Sequence, residues 1–405
     1  MIDQELNFVD KDGQVLRLTQ KFPLAVDDVL RLNGIPVSSV LVSEKKDGGE
    51  KQLTAKFLFN TVFRIVGSIP IQRKILKTSP SEPTFYEKVI IGPDNSGKLE
   101  RLVVEMDRSH FSDYVENTFT SLVRKENMFT ADDDVVIGFS GGTDSAILLH
   151  LLLDEKRKAS NARFTAVTVG TLAGTHRMDF MKHYCKEYGV EHFFIDDNAI
   201  EEAFNLNRSV GRIIDQILAS EYNQKAIFVV QHIIRRMLEK FRESRNCNKI
   251  VLGLEREALL TSILSFYLSG EPIAGLYKKT DGTNNYVFPL MSLFKREENL
   301  YMGLKLHNYY EVDRSEHSKS RTYDLHSSEW RGLVMLLVGH LLDVFPGIDV
   351  YLERAAAKMI ESTHLQMKFG SCENCGGSFV PSKGDHLLTC EACSVLSEMQ
   401  ALKSS

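Results

Sequence analysis

The chain has no long apolar run. Its longest such stretch, Leu333 to Phe345, falls well short of a bilayer span and carries His340 and Asp343. No transmembrane helix is therefore expected, since one needs about 20 apolar residues. The first residues, Met1 to Glu5, are acidic and lack an apolar signal core, so a secretory leader is not expected either. There is no excess of positive charge. The formal net charge is −5, so contact with nucleic acid would have to use local basic patches. Internal repeats and low-complexity tracts are absent. Cysteine is scarce: of six, four fall in one C-terminal cluster. That distribution argues against a disulfide framework and for a metal site in a reducing cytoplasm.

What remains is ordinary for a globular protein, with 43% hydrophobic and 25% charged residues. A length of 405 residues implies two or three domains. Residues 1–105 read as a β-rich α+β module. Strand candidates are Val15–Leu18, Ser39–Val42, Arg64–Gly67 and Lys88–Ile91, with a short helix over Val26–Leu30. That order is compatible with a β-grasp module and equally with an unrelated α+β appendage. A connecting helix follows within 106–130, with apolar residues from Phe111 to Val123 at helical spacing. Asp132-Asp133-Asp134 reads as a solvated turn.

From 131 to 310 the pattern is α/β. Strands are expected at 135–139, 164–169, 192–195 and 249–252. Helices are expected at 145–155, 177–188, 225–243 and 257–268. Strands alternating with crossover helices imply a parallel sheet, whose ligands lie at the carboxyl ends of the strands. Gly170, Asp196 and Gly253 fall at such ends. Residues 311–368 read as a helical extension and 369–405 as a cysteine-bearing ribbon.

The stretch Val135 to Ser145 carries the strongest signal. A buried-type strand runs into Ser140-Gly141-Gly142-Thr143-Asp144-Ser145, and a helix leaves it. Glycines let backbone N–H groups approach an anion, and a helix N-terminus adds partial positive charge. No Gly-Lys-Ser/Thr follows the glycines, so this is not a Walker A loop. It resembles the S-G-G-x-D-S loop of the ATP pyrophosphatases, which cleave ATP between the α and β phosphates.

At the other end, Cys372-x-x-Cys375 and Cys390-x-x-Cys393 are separated by fourteen residues. Two such knuckles can complete a tetrahedral zinc site. A ribbon this small builds no core of its own, so the metal is expected to supply its folding energy. Cys185 and Cys247 are isolated and read as plain thiols.

Loop, strand order and ribbon together resemble the cytosolic tRNA 2-thiolation family over about residues 131–400. Val287-Phe288-Pro289-Leu290 with Lys295-Arg296-Glu297-Glu298, and Phe345-Pro346-Gly347, add to the likeness. The resemblance implies an adenine nucleotide alpha-hydrolase-like fold and an AMP-forming tRNA sulfurtransferase, cytoplasmic and without a membrane. It implies ATP and Mg2+ as cofactors beside structural Zn2+. Ser140 to Ser145, Gly170 and Gly253 would border the nucleotide, and Asp144, Ser145 and Glu257 would serve catalysis, with Asp144 or Glu257 holding magnesium. Arg235 and Arg236 match the family's basic pair and would contact tRNA. The same arginines, with Lys240, Arg242, Arg245 and Lys249, also fit a solvated helix face.

The sequence departs from the family at definite places. The strand-four motif G-H-N-x-D-D becomes Gly253-Leu254-Glu255-Arg256-Glu257-Ala258. Val229, Val230 and Gln231 stand where the family carries cysteine, and Asp313 to Arg321 contains none. Sulfur would then come from an external donor, such as a ubiquitin-like thiocarboxylate carrier or a persulfide. Two alternatives stay open. The chain is a binding subunit for a cysteine-bearing paralogue or its own copy, or it is a pyrophosphatase-type ligase for another substrate.

Overall fold

The computed structural model describes residues 4–9, 15–20, 42–46, 49–53, 71–77, 82–93, 99–153, 161–170, 178–269, 278–281, 284–307, 370–379 and 389–401, with isolated helical positions between 309 and 358. The chain divides into two compact units. One comprises residues 1–117, 299–314 and 339–351; the other comprises 118–298, 315–338 and 352–405.

In the first unit, β1 (Gln4–Val9) pairs antiparallel with β2 (Val15–Gln20), and β3 (Val42–Lys46) with β4 (Gly49–Leu53). Strands β5 (Ile71–Lys77), β6 (Tyr86–Pro93) and β7 (Leu99–Met106) form a sheet in the order β5-β7-β6. In it β5 runs parallel and β6 antiparallel to β7. The strands expected at 15–18 and 88–91 lie in β2 and β6. Of 39–42 only Val42 falls in a described strand, while 26–30 and 64–67 lie outside the described residues. Helix α1 (Arg108–Lys125) starts after Asp107, whose carboxylate accepts the His110 amide at 2.8 Å and so satisfies one of the unpaired donors of a helix start. It buries Phe111, Val115, Phe119 and Val123 along one face.

The second unit is built on a six-stranded sheet in the order β10-β9-β8-β11-β13-β12. Strand β8 (Asp134–Gly138) leads through a loop to α2 (Thr143–Leu153). Strand β9 (Arg163–Val169) is followed by α3 (Met178–Glu187), and β10 (Glu191–Ile195) by α4 (Asp197–Ala203), α5 (Val210–Leu218) and α6 (Ala226–Arg245). Strand β11 (Lys249–Val251) leads to α7 (Arg256–Ser269). The hairpin of β12 (Lys278–Asp281) and β13 (Asn284–Val287) precedes α8 (Lys295–Lys305). Five strands run parallel, and β12 alone is antiparallel, on the edge. The central position of β8 explains its apolar run. Val135, Val136 and Ile137 are covered on both faces, as in other crossover-connected parallel sheets. Helix α2 is apolar almost all round and accordingly buried at Ala146 to Leu149, Leu151 and Leu152.

The expected α/β order is thus the observed one, with element ends shifted by one or two residues. Helices α4 and α5 and strands β12 and β13 were not expected. The solvated Asp132–Asp134 turn needs correction. Asp133 is buried, accepts the Thr130 amide and Asn248 Nδ2 at 2.6 and 2.8 Å, and pairs with Lys249 at 2.5 Å. These bonds tie the entry of β8 to β11, and burying a carboxylate requires such partners.

The C-terminal ribbon consists of β14 (Gly370–Ser371), β15 (Ser378–Phe379) and α9 (Glu391–Ala401). It is no free appendage. Its four cysteines with Ala392, Val395, Leu396 and Met399 belong to one core cluster with Val229, Val230, Ile233 and Met237 of α6. The ribbon therefore draws stability from apolar burial against α6.

Candidate functional site: the glycine loop and its carboxylates

The loop Ser140–Gly142 leaves the carboxyl end of β8 and opens α2 at Thr143. Gly141 has φ +73°, a left-handed conformation that glycine adopts without strain. Ser145 is buried, and its hydroxyl donates to the Gly142 carbonyl at 2.9 Å. Ser140 Oγ lies 3.4 Å from both Ser145 Oγ and the Gly142 amide. The first N–H groups of a helix have no intrahelical acceptor, and those of α2 follow directly on this loop. Backbone donors and hydroxyls in this arrangement can cradle an anion.

Gly253, after β11, lies against the loop. A Cβ there would approach the Asp144 carbonyl carbon and oxygen at 3.2 Å and the Ser145 nitrogen at 3.3 Å. Only glycine allows this backbone approach without displacement. Gly170 is itself tightly packed. Its φ is +56°, and a Cβ would meet Asp197 Oδ1 and Ile200 Cδ1 at 2.6 Å. It makes the tight turn from β9 and packs on the start of α4. Its amide donates to Ile195 at 2.7 Å. Asp196 is spent as the cap of α4, accepting the Ala199 amide at 2.9 Å.

Carboxylates gather beside the loop around Lys295. Lys295, at the start of α8, ion-pairs through Nζ with Asp144 and lies 3.9 Å from Glu298. Its amide donates to Glu257 at 2.9 Å. Glu255 is buried and caps α7 by accepting the Ala258 amide. Burial opposes the charge on Lys295, but Asp144, Glu298 and Glu255 outweigh it and raise the ammonium above its ordinary pKa. Burial, then Glu255, push the Glu257 carboxyl up to about 8. Glu298 is fully buried, and burial followed by Asp144 holds its carboxyl well above the usual range. Neither of its carboxylate oxygens has a hydrogen-bond partner. An oxygen-only donor set of this kind, with a buried carboxyl lacking a donor, fits a hard divalent cation such as magnesium. From sequence Lys295 reads only as part of the Lys295–Glu298 segment that follows Val287–Leu290. Its ion pair spans 151 positions and has no local signature.

The basic pair on α6 divides. Arg235 is half-buried, its guanidinium 5.4 Å from the Tyr286 ring. Arg236 is 7% exposed. It donates to the Cys375 carbonyl at 2.8 Å and to Glu239 and Glu243 at 3.2 Å each, and Tyr286 bonds Glu239. This corrects the expectation that Arg236 faces tRNA: its guanidinium is used inside the fold to seat the ribbon. Val229 and Val230, where the resembling family carries cysteine, are core residues. Cys185 is buried, and burial pushes its thiol up to about 12. Cys247 is likewise buried and raised. Both are inert packing thiols.

The expected four-cysteine group meets a different grouping. The ligand atoms that all lie within 4.8 Å of one another are those of His232, Cys375, Cys390 and Cys393. Cys372 is buried beside them, and its sulfur accepts the Cys390 amide at 3.3 Å. S–H donation from Cys390 and Cys393 draws the Cys375 thiol below its ordinary pKa.

A parallel sheet in this order, with a glycine loop at the carboxyl end of its first strand, defines the adenine nucleotide alpha-hydrolase-like fold. No family model matches the chain. The chain is 23% identical over 323 residues to the tRNA 2-thiolation protein NcsA of Haloferax volcanii, a match covering 72% of this chain and 92% of that one. It is 25% identical over 190 residues to tRNA-cytidine(32) 2-sulfurtransferase 2 of Francisella tularensis subsp. holarctica, covering 46% of this chain and 66% of that one. Among solved structures, the U34-tRNA thiolase NcsA from Methanococcus maripaludis, with its 4Fe-4S cluster, superposes with a TM-score of 0.52 at 17% identity. That match covers 70% of this chain and 88% of the other. The chain is thus similar in sequence and fold to tRNA 2-thiolation proteins and tRNA sulfurtransferases.

Proposed function

We propose that this protein is an ATP-dependent tRNA thiolation enzyme that adenylates a uridine C2 oxygen for replacement by sulfur. The observation that carries the reading is the Ser140–Ser145 cradle with Lys295 and the Asp144–Glu257–Glu298 carboxylates beside it. A carbonyl oxygen is a poor leaving group. Its attack on the α-phosphorus of ATP expels pyrophosphate and leaves an O-adenylated base. A sulfur nucleophile then adds at C2 and AMP departs with the oxygen. The loop N–H groups and the Ser140, Thr143 and Ser145 hydroxyls bind the phosphates, and Lys295 opposes their charge. Asp144 and Glu257 would hold magnesium, which neutralises charge on the departing pyrophosphate. Arg235, with Lys240 and the exposed Arg245 of α6, would meet tRNA phosphates. The C-terminal Cys/His group would hold a structural metal.

The α6 positions Val229 and Val230 are packed in the core and supply no thiol. Sulfur therefore comes from an external donor, or from a cysteine-bearing partner chain for which this one supplies binding. ATP–pyrophosphate exchange with the purified chain, tRNA and a thiocarboxylate donor separates the two. Exchange by the chain alone supports the enzyme; exchange only with a second chain supports the binding subunit. Unchanged cellular 2-thiouridine in a Ser145→Ala strain would sink any thiolation role that needs this loop.

A further inference from the structure

We infer that His232, on a helix of the nucleotide-binding unit, is a metal ligand together with Cys375, Cys390 and Cys393, and that the ion thereby clamps the C-terminal ribbon to α6. Spacing of the two C-x-x-C knuckles points to Cys372 as the fourth ligand. The geometry selects His232. Its Nε2 lies 3.6 Å from Cys375 Sγ and 3.4 Å from Cys390 Sγ, and those two sulfurs are 4.0 Å apart. Zinc bonds of about 2.3 Å to sulfur and 2.0–2.1 Å to nitrogen, at tetrahedral angles, place S and N about 3.5 Å apart and two sulfurs about 3.8 Å apart. The observed edges match that polyhedron.

Cys372 has another use. Its sulfur accepts the Cys390 amide, its amide donates to the Gly377 carbonyl at 2.9 Å, and its carbonyl accepts the Gly376 amide at 2.8 Å. These bonds shape the first knuckle and place Cys375. The knuckle is in turn pressed on α6 by Arg236, which bonds the Cys375 carbonyl one helical turn beyond His232. A Cβ on Gly377 would meet Arg236 Cδ at 3.0 Å and Cys375 Sγ at 3.4 Å. Two adjacent α6 residues on one face, His232 and Arg236, thus address the same knuckle.

The spacing also selects the kind of centre. In a 4Fe-4S cluster, the kind held by the structural neighbour, each thiolate binds a different iron, which requires wider separation than one ion can span. Ligand atoms all within 4.8 Å of one another suit a single ion. The ligand set, three thiolates and one imidazole, favours zinc.

Zinc K-edge X-ray absorption of the purified full-length chain tests this. One nitrogen at about 2.0–2.1 Å with three sulfurs at about 2.3 Å is the expected shell. Four sulfurs and no nitrogen would overturn the assignment, as would iron in place of zinc with the visible absorption of a cluster. His232→Ala should weaken zinc retention against a chelator by more than the roughly 10–100-fold that loss of an outer partner costs. Cys372→Ser should weaken it less than His232→Ala; the reverse order overturns the proposal. Because Arg236 and the α9 core hold the ribbon independently of the ion, the variants remain folded enough to titrate. Failure here would leave the nucleotide site untouched, since no residue is shared.

Discussion

Lys295 Nζ forms an ion pair with the Asp144 carboxylate, joining the start of α8 to the first turn of the helix that opens from the glycine loop. Glu298 and Glu257 are the further neighbours of the lysine. A phosphate chain entering the cradle would compete with Asp144 for Lys295, while a divalent cation would take the released carboxylate.

Lys295→Met should therefore lower AMP-forming turnover by about 10²-fold, the loss typical of one oriented transition-state donor. Pyrophosphate release under saturating ATP measures it. An unchanged rate would remove Lys295 from the phosphate site.

The two glycines at strand ends should respond differently. Gly253→Ala pushes a methyl against the Asp144 carbonyl and the Ser145 amide, so ATP affinity should fall at least several-fold with little change in melting. Gly170→Ala forces a side chain into a left-handed backbone and onto Asp197 and Ile200. It should cost about 1–3 kcal/mol of stability while leaving nucleotide affinity in the folded fraction intact. Calorimetric titration and urea unfolding read the two effects apart.

Arg236→Ala removes the partner of the buried Glu239 carboxylate and the donor to the Cys375 carbonyl. Truncating one member of a buried pair costs about 3–5 kcal/mol. Because the other partner, Glu243, is 45% exposed on its side chain, the lower end is expected. Denaturant unfolding checks it. Arg235→Ala, at the half-buried neighbour, should instead weaken tRNA binding and flatten its salt dependence by about one unit. A loss of tRNA affinity for the arginine at 236 alone, with stability unchanged, would reverse the assignment.

The parallel sheet and its cradle were legible because their signals are local: an apolar strand, a glycine turn and an apolar helix lie within twenty residues. Helix α5 was equally legible, with Val210, Ile213, Ile214 and Ile217 at helical spacing and all buried, yet it falls between two stronger patterns and goes unread. Lys295, Arg236 and His232 could not be read in the same way. Each acts on a partner more than a hundred positions away, and the sheet order that joins them is set by crossover packing. Arg236 even matched a motif whose expected use is solvent-facing. Burial decides between contact with RNA and contact with the ribbon, and burial is not written in the dipeptide.

The carboxylates beside the loop make stability depend on pH in a direction that can be fixed. The Glu257 carboxyl is raised from 4.5 to about 8. Between those values the folded state holds a proton that the unfolded state has released, so the native form binds more protons and the unfolding free energy falls as pH rises. In the absence of nucleotide and divalent ions, urea unfolding from pH 5 to pH 8 should show declining stability. Glu257→Gln should flatten the decline, leaving any residual slope to Glu298, whose carboxyl is also raised. Magnesium with a nucleotide should reverse the sign, because binding draws on the deprotonated carboxylates and stabilises the folded state more as pH rises. A Glu257→Gln profile that parallels the wild type, with and without magnesium, would place the proton elsewhere and remove Glu257 from the metal site.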